Sequence, residues 1–507
     1  PSGSTCQAIT GCEIPDSDAD GLNDAWEQQG GIDLNCDGVL DEAEDALLPG
    51  AELNRRDIYL QYDYMELSGE GGHTHNPSPE AIQMVVDSFA AQGITLHVDP
   101  EHRRLEHHSV ITFDSHDDPA CHGPDAVRFY DLKDSGSAAK RRLAYHYAVF
   151  GHYLQCDSFA TCAACPVQEG NPTIFGATGR AELPGNDFVV TTGGFFDFGF
   201  TPTVINEAGL VQHELGHNFG LQHGGMASFP NFKPNHLSVL NYSFTFTGIP
   251  FAATPGSVVP VGARVDYSRA VLPSLGEQQL DENVGISAGT NDITTYNCPD
   301  TTPVSGPGTG PIDWNCNENP AEFNVAADVN ADGAFGSLTG YNDWANVLLS
   351  FQCSAAGSAN ALPPPEYLTV QEPAVPEAFR QHRLFSPRSA QIQIRPGCTA
   401  ATAAIAPGQP GEVTLALLAA EDFDPNEVDL ASLKFAGASP VRLGSADVNG
   451  DGRSDLLMVF DMSRLRLRPD ATAAQLTGWL KNSQVFIGEG QVVVTSRMGL
   501  EPASCRN

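Results

Sequence analysis

The sequence predicts an α+β protein of more than one domain, and three observations carry that expectation. Asp57–Met65 alternates as a strand does, Ile82, Val85, Val86 and Phe89 keep helical spacing, and Ile94–Val98 is a second strand-like run. Val204, Ala208, Val211, Leu215 and Phe219 recur at intervals of three and four and form one apolar stripe along another helix. Beyond about residue 389 the helical spacing gives way to short strand-like runs. The 507 residues are enough for two or three domains with full cores, and 41% apolar with 18% charged content belongs to a globular chain, not a disordered one.

Residues 1–50 are loop-rich and acidic. Asp16, Asp18, Asp20, Asp24 and Glu27 occupy positions 1, 3, 5, 9 and 12 of a twelve-residue calcium loop, with Gly21 at position 6 and Leu22 at position 7. Asp33, Asn35, Asp37, Val39, Asp41 and Glu44 repeat the pattern around Gly38. Calcium takes about six to eight hard oxygens, and this spacing gathers them round one point. The flanks are too short for paired helices, so these resemble the short structural calcium repeats of secreted proteins. Weaker copies come later. Asp328, Asn330 and Asp332 precede Gly333 but lack a closing glutamate. Asp447, Asn449, Asp451 and Asp455 surround Gly452, and Asp313-Trp-Asn315-Cys-Asn317 carries Glu318 where the glycine belongs.

Ser78-Pro79-Glu80 reads as an N-cap, a first-turn proline and a first-turn acid, and Gly93 as the stop of that helix. Histidines crowd the same region. His73-Thr-His75 is a candidate for a second metal, although such histidines are more often surface or hydrogen-bonded groups. Residues 155–182, with Cys156, Cys162 and Cys165, read as a disulfide-pinned insertion, and Asn186–Thr192 as a strand. Phe195, Phe196, Phe198 and Phe200 are expected in a core. His236 is a spare ligand candidate, and Tyr341–Ser350 is expected to be a helix. Prolines mark a linker at 361–388, and the five runs Gln391–Ile394, Val413–Leu418, Leu456–Phe460, Val485–Ile487 and Val492–Val494 predict a small β-sandwich over 389–507.

The chemistry concentrates in Val211–His223, which reads H-E-x-x-H-x-x-G-x-x-H. His213 and His217 are four apart, so a helix puts both imidazoles on one face. Gly220 permits the left-handed turn that brings His223 back as a third ligand. Three nitrogen ligands with one open position suit a catalytic zinc, and Glu214 is placed to take a proton from water. The five-residue core of the motif arises by chance in about one chain of this length in a hundred, and the fixed Gly and third His make it about a thousandfold rarer.

This motif matches the zinc signature of the metzincin metallopeptidases. The resemblance covers roughly residues 55–355, and it implies a twisted mixed sheet backing the active-site helix. It also implies a methionine turn, here Ser238-Val239-Leu240-Asn241-Tyr242 with leucine in the methionine's place. Leucine for methionine nearly conserves volume. By the same resemblance Tyr242 is expected to ligate zinc or stabilise an oxyanion, and Phe188, Val189, Val190, Thr191 and Thr192 to pair with extended substrate through backbone hydrogen bonds.

The expectation is therefore a secreted, calcium-stabilised zinc endopeptidase, a monomer acting on protein or peptide, in four segments: 1–50, 51–360, 361–388 and 389–507. The net charge of -37 opposes nucleic-acid binding, and the sequence lacks an eighteen-residue apolar run. Twelve cysteines, an even number, suit disulfides in an oxidising compartment, with Cys398–Cys505 the expected C-terminal pair. The chain begins at Pro1 without an apolar leader, and a signal peptide with a pro-segment is expected to have been removed. Rival readings are a calcium-dependent adhesion protein on an inactive peptidase scaffold and a zinc amidase.

Overall fold

The structure, a computed structural model, describes residues 15–68, 72–113, 125–154, 177–197, 201–288, 291–299, 303–350, 369–371, 388–396, 403–407, 409–420, 423–436, 438–465, 473–480 and 485–495. The expected Cys398–Cys505 bridge, the cysteines of the 155–182 insertion, the linker prolines, Phe198 and Phe200 lie outside these residues. The chain forms two compact units, one of 1–194 with 202–377, the other of 378–507 with 195–201. It is a mixed α/β architecture, rich in strands and poor in helices. No helix among the described residues is long and apolar enough to cross a membrane.

The first unit is built on an eight-stranded sheet. Its strands are β1 (Arg56–Leu67), β2 (His73–Thr74), β3 (Ile94–Val98), β4 (Arg104–Glu106), β5 (Tyr145–Gly151), β6 (Gly179–Glu182), β7 (Asp187–Thr191) and β8 (Thr369–Gln371). The order runs β8, β6, β7, β5, β1, β2, with β3 and β4 paired to further stretches of β1. β1, β3, β4, β5 and β7 are mutually parallel, while β6 runs antiparallel to β7 and β8 antiparallel to β6. Both backbone edges of β7 are therefore taken, by β5 and β6. This corrects the expectation that Phe188–Thr192 offers a free ladder to substrate: Thr192 N–H also donates to Gly151 O (3.1 Å).

Two helices lie against this sheet, α1 (Pro79–Ala90) and α2 (Val204–Asn218). α1 starts as the sequence indicates, with the Ser78 hydroxyl accepting from Ala81 N–H, and Gly93 takes φ +70° after its end. α2 begins in a capping box: Thr203 accepts from Asn206 N–H while the Asn206 side chain accepts from Thr203 N–H. At its other end Gly220 N–H donates to His217 O (2.8 Å) and Leu221 N–H to Gly216 O (3.0 Å), with Gly220 at φ +80°. That is a Schellman turn, and glycine is the residue that makes it without strain. α2 packs on α1, β6 and β7. Every residue from Ala208 to Phe219 is buried.

Residues 15–50 do not form a separate domain. Leu22, Trp26, Ile32 and Leu48 share a core with Tyr59 and Tyr145 of the sheet. After α2 a second core gathers Leu237, Phe244, Ile286, Trp314 and Val329 from an irregular, hairpin-rich region. Cys298 and Cys316 are joined there, and Cys36 is also disulfide-bonded. Tyr341–Ser350 is not helical. Its polar side chains are drawn into tertiary bonds instead, Asp343 to His236 and Trp344 to Asp266, and these override the local preference.

In the second unit a five-stranded and a four-stranded sheet face each other. Val413, Leu415, Met458 and Phe460 from one sheet and Phe435, Leu476, Phe486 and Val492 from the other share one core. The sandwich is as the sequence indicates, except that Val485–Ile487 and Val492–Val494 belong to a single strand, Val485–Val494. Gln491 and Glu489 carry its ladder straight across, opposite Ala473 and Gln475.

At Gly220 an added Cβ has room, meeting nothing closer than 3.9 Å, so Gly220→Ala tests backbone strain alone. We expect it to cost about 1–2 kcal/mol, read as a lowered denaturant midpoint. An unchanged midpoint would show that the turn does not hold His223 in place.

Candidate metal centre

α2 is fixed at both ends. Glu207 in its first turn accepts from Ser78 N–H (2.9 Å) and Ser78 O–H (2.6 Å) at the start of α1. Asn218 in its last turn donates to Glu182 O (3.1 Å) and Asp187 O (3.0 Å), spanning β6 and β7. Neither anchor is visible in the apolar stripe, and both set where the helix face meets the sheet.

On that face His217 Nε2 lies 3.1 Å from His213 Nε2 and 3.1 Å from His223 Nε2. His213 Nδ1 donates to Val239 O (2.6 Å) and His217 Nδ1 to Leu221 O (2.7 Å). A carbonyl only accepts, so in each neutral ring the proton sits on Nδ1 and the lone pair on Nε2. Two lone pairs aimed at each other at 3.1 Å repel unless a cation lies between them. Nitrogens bound at zinc's usual distance in a tetrahedral site stand about 3.3 Å apart. The three histidines, all buried, therefore fit a zinc ion in spacing and chemistry, and the tautomers of His213 and His217 fit it too.

Glu214, next to His213 in α2, is also buried. Its carboxylate lies against the backbone of β6: a Cβ at Gly179 would fall 1.7 Å from Oε1 and 2.4 Å from Cδ. Gly179 is thus the residue that makes room for Glu214, and nothing in the motif pointed to it. The Tyr242 ring stands 4.4 Å from the His223 ring and 5.9 Å from the His213 ring, beside two of the three histidines. Leu240 is buried under the helix, and a Cβ at Gly216 would meet its Cδ2 at 2.9 Å. Its neighbour Val239 supplies the carbonyl that orients His213. His236 is not a spare ligand, because Nδ1 bonds His223 O (3.2 Å) and Nε2 bonds Asp343 Oδ2 (3.0 Å).

The acidic loops share one backbone. In all five, position 4 is left-handed: Ala19 (φ 63°), Cys36 (64°), Cys316 (56°), Ala331 (56°) and Gly450 (77°). So is position 6: Gly21 (95°), Gly38 (83°), Glu318 (70°), Gly333 (83°) and Gly452 (84°). The first aspartate of each, Asp16, Asp33, Asp313, Asp328 and Asp447, accepts from the position-6 N–H. Glu318 therefore adopts the conformation expected of the glycine it replaces. Around the first loop Asp16, Asp18 and Asp20 converge, and Asp20 also converges with Glu27 and Asp57. Asp24 does not join them, since it accepts from Ser17 N–H and O–H. In the second loop Asn35 reaches Asp37 and Glu44, Asp41 caps Glu44 N–H, and Asp33 is held by backbone donors.

Buried acids far away in sequence close three of these loops. Asp57 serves the first. Glu282 approaches Asp313 and Glu322, and Glu277 approaches Asp328 and Asp332 while accepting from Val329 and Gly336 N–H. Asp332 accepts from Ala334 N–H and Asn330 donates to Asp332, so the loop is pre-shaped. In the sandwich Asn449 donates to Asp451, and Asp455 accepts from Ala419 and Val448 N–H. Both oxygens of Glu27 are buried with no hydrogen-bond partner. Burial, then the charges of Asp18, Asp20 and Asp57, pushes Glu27 up to about 8, and burial pushes Asp20 up to about 7. Such a cluster fits a hard cation in place of protons.

No family model matches this chain, and none of the curated proteins does.

The raised carboxyls fix a sign. A folded-state value above the unfolded one contributes stability at low pH that is lost as pH rises toward the folded value. With chelator present, the melting temperature is expected to fall between pH 5 and about 8, and Glu27→Gln to reduce that fall. Calcium at pH 8 should restore the melting temperature. A chelated protein whose melting temperature is flat across this window would contradict the assignment.

Proposed function

We propose that the chain is a zinc-dependent endopeptidase of metzincin type, secreted, monomeric and stabilised by calcium. The observation that carries this reading is the convergence of His213, His217 and His223 Nε2, with the buried Glu214 next to His213 in α2. Zinc held by the three histidines would polarise a peptide carbonyl and make a water acidic enough to deprotonate near neutral pH. Glu214 would serve as the general base, taking a proton from the attacking water and passing it to the leaving amine. The Tyr242 hydroxyl donates to the oxyanion that develops on the substrate carbonyl. The Asp and Asn side chains of the five loops, Asp24 excepted, hold calcium in a structural role, and the C-terminal sandwich is an accessory module.

The strand beside Glu214 is β6, and its outer edge is paired with Thr369–Gln371 of the same chain. Extended substrate adding to β6 would take the place of that segment, which favours a latent form as the second reading. An adhesion protein has no use for three convergent histidines with a buried glutamate next to the first of them.

Hydrolysis of an unfolded protein, assayed with calcium present, tests the proposal. The parent chain is expected to cleave, and Glu214→Ala to lose at least about a hundredfold in kcat while keeping its zinc. A Glu214→Ala chain as active as the parent would overturn it. Gly179→Ala, which drives a methyl group into Glu214, is expected to depress kcat with zinc content unchanged, and full activity there would contradict the placement of Glu214 against β6.

A further inference from the structure

A second histidine cluster lies apart from the first. His73 and His75 stand two residues apart at β2, so both project from the same side of the strand. His107 follows β4, and His152 follows β5. One ring nitrogen from each of the four lies within 4.8 Å of every other. The geometry repeats that of the first cluster. Ring centroids are 4.8 to 5.6 Å apart over all six pairs here, and 4.8 to 5.3 Å apart among His213, His217 and His223.

The contacts are between ring nitrogens, not faces. His152 Nδ1 lies 3.2 Å from His73 Nε2 and 3.3 Å from His75 Nε2. His152 Nδ1 thus faces two ring nitrogens at once. A stacked aromatic cluster has no reason to adopt that arrangement, whereas nitrogens round one tetrahedral zinc stand about 3.3 Å apart. The surroundings orient the rings. His75 Nδ1 contacts Thr192 Oγ1 at 2.7 Å, as ligating histidines are usually fixed through their second nitrogen. His152 O accepts from Gly193 N–H (2.8 Å), and a Cβ at Gly193 would meet the His152 ring at 2.8 Å.

We infer that His73, His75, His107 and His152 bind a second divalent transition-metal ion, zinc, in a closed four-nitrogen structural site. Four protein ligands leave no position for water, which separates this site from a three-histidine catalytic one. Neutral imidazole selects zinc or a neighbouring transition metal over calcium. The ion ties β2 to the segments after β4 and β5 and, through Thr192, to the end of β7. The site stands independently of the peptidase reading.

The test is zinc per chain by elemental analysis, after equilibration with buffered zinc and removal of excess. His213→Ala/His217→Ala eliminates the first cluster and leaves the second intact. This variant is expected to hold about one zinc, and adding His75→Gln/His152→Gln to bring it to about zero. In the parent the same glutamine pair should lower the content from about two to about one. A folded His213→Ala/His217→Ala chain with no zinc, or one whose zinc survives the glutamine pair, would overturn the inference. Equal zinc in the parent and in His213→Ala/His217→Ala would instead count against the catalytic zinc alone.

Discussion

The structure depends on burying the polar face of one helix. From Ala208 to Phe219, α2 has no exposed residue, although this stretch includes Gln212, His213, Glu214, His217 and Asn218. Buried polar groups are costly unless each finds a partner. Gln212 donates to Ser88, Asn218 to the carbonyls of β6 and β7, and the histidine Nδ1 atoms to Val239 and Leu221. Beyond these bonds, the Nε2 atoms of His213, His217 and His223 converge on one point. On the proposed reading a zinc ion completes that accounting. The capping box, the Schellman turn, the Glu207 and Asn218 anchors and the glycines at 179 and 216 all serve to hold this face in one place.

The same principle runs through the acidic loops. Sixty-three carboxylates against 26 lysines and arginines leave the chain far from neutrality, and several of those carboxylates are buried in groups. Burial first, and like charges second, disfavour the ionised forms of Glu27 and Asp20. Five loops with the same left-handed positions concentrate oxygen where a hard cation would relieve that repulsion. The first of them packs Leu22 and Trp26 against the sheet, and its Asp20 accepts from Asp57 N–H of β1 (2.6 Å), so calcium there would brace the scaffold itself.

The local parts were legible. The strands at 57–65 and 94–98, the two helices, the caps at Ser78 and Gly220, the convergence of His213, His217 and His223 and the C-terminal sandwich all follow from short-range pattern. What was not legible arises from long-range contact. Asp57, Glu277 and Glu282 close loops from tens of residues away, and no spacing rule reaches that far. Gly179 matters only because β6 crosses Glu214. Phe188–Thr192 reads as a plausible substrate edge until the topology places it between two strands. The Tyr341–Ser350 helix fails because Asp343 and Trp344 have stronger partners elsewhere, and tertiary bonds outweigh weak helical preference. Glu318 shows that glycine marks a left-handed position without being required at it, once Asp313 accepts from the Glu318 N–H.

The most direct test of the central claim is anomalous diffraction from crystals of the full chain on either side of the zinc absorption edge. A peak about 2.0–2.1 Å from Nε2 of each of His213, His217 and His223, with Glu214 beside it but not bound, is the result this account requires. A zinc-equilibrated crystal with no anomalous density among these three nitrogens, or with Nδ1 facing the metal in place of Nε2, would contradict it.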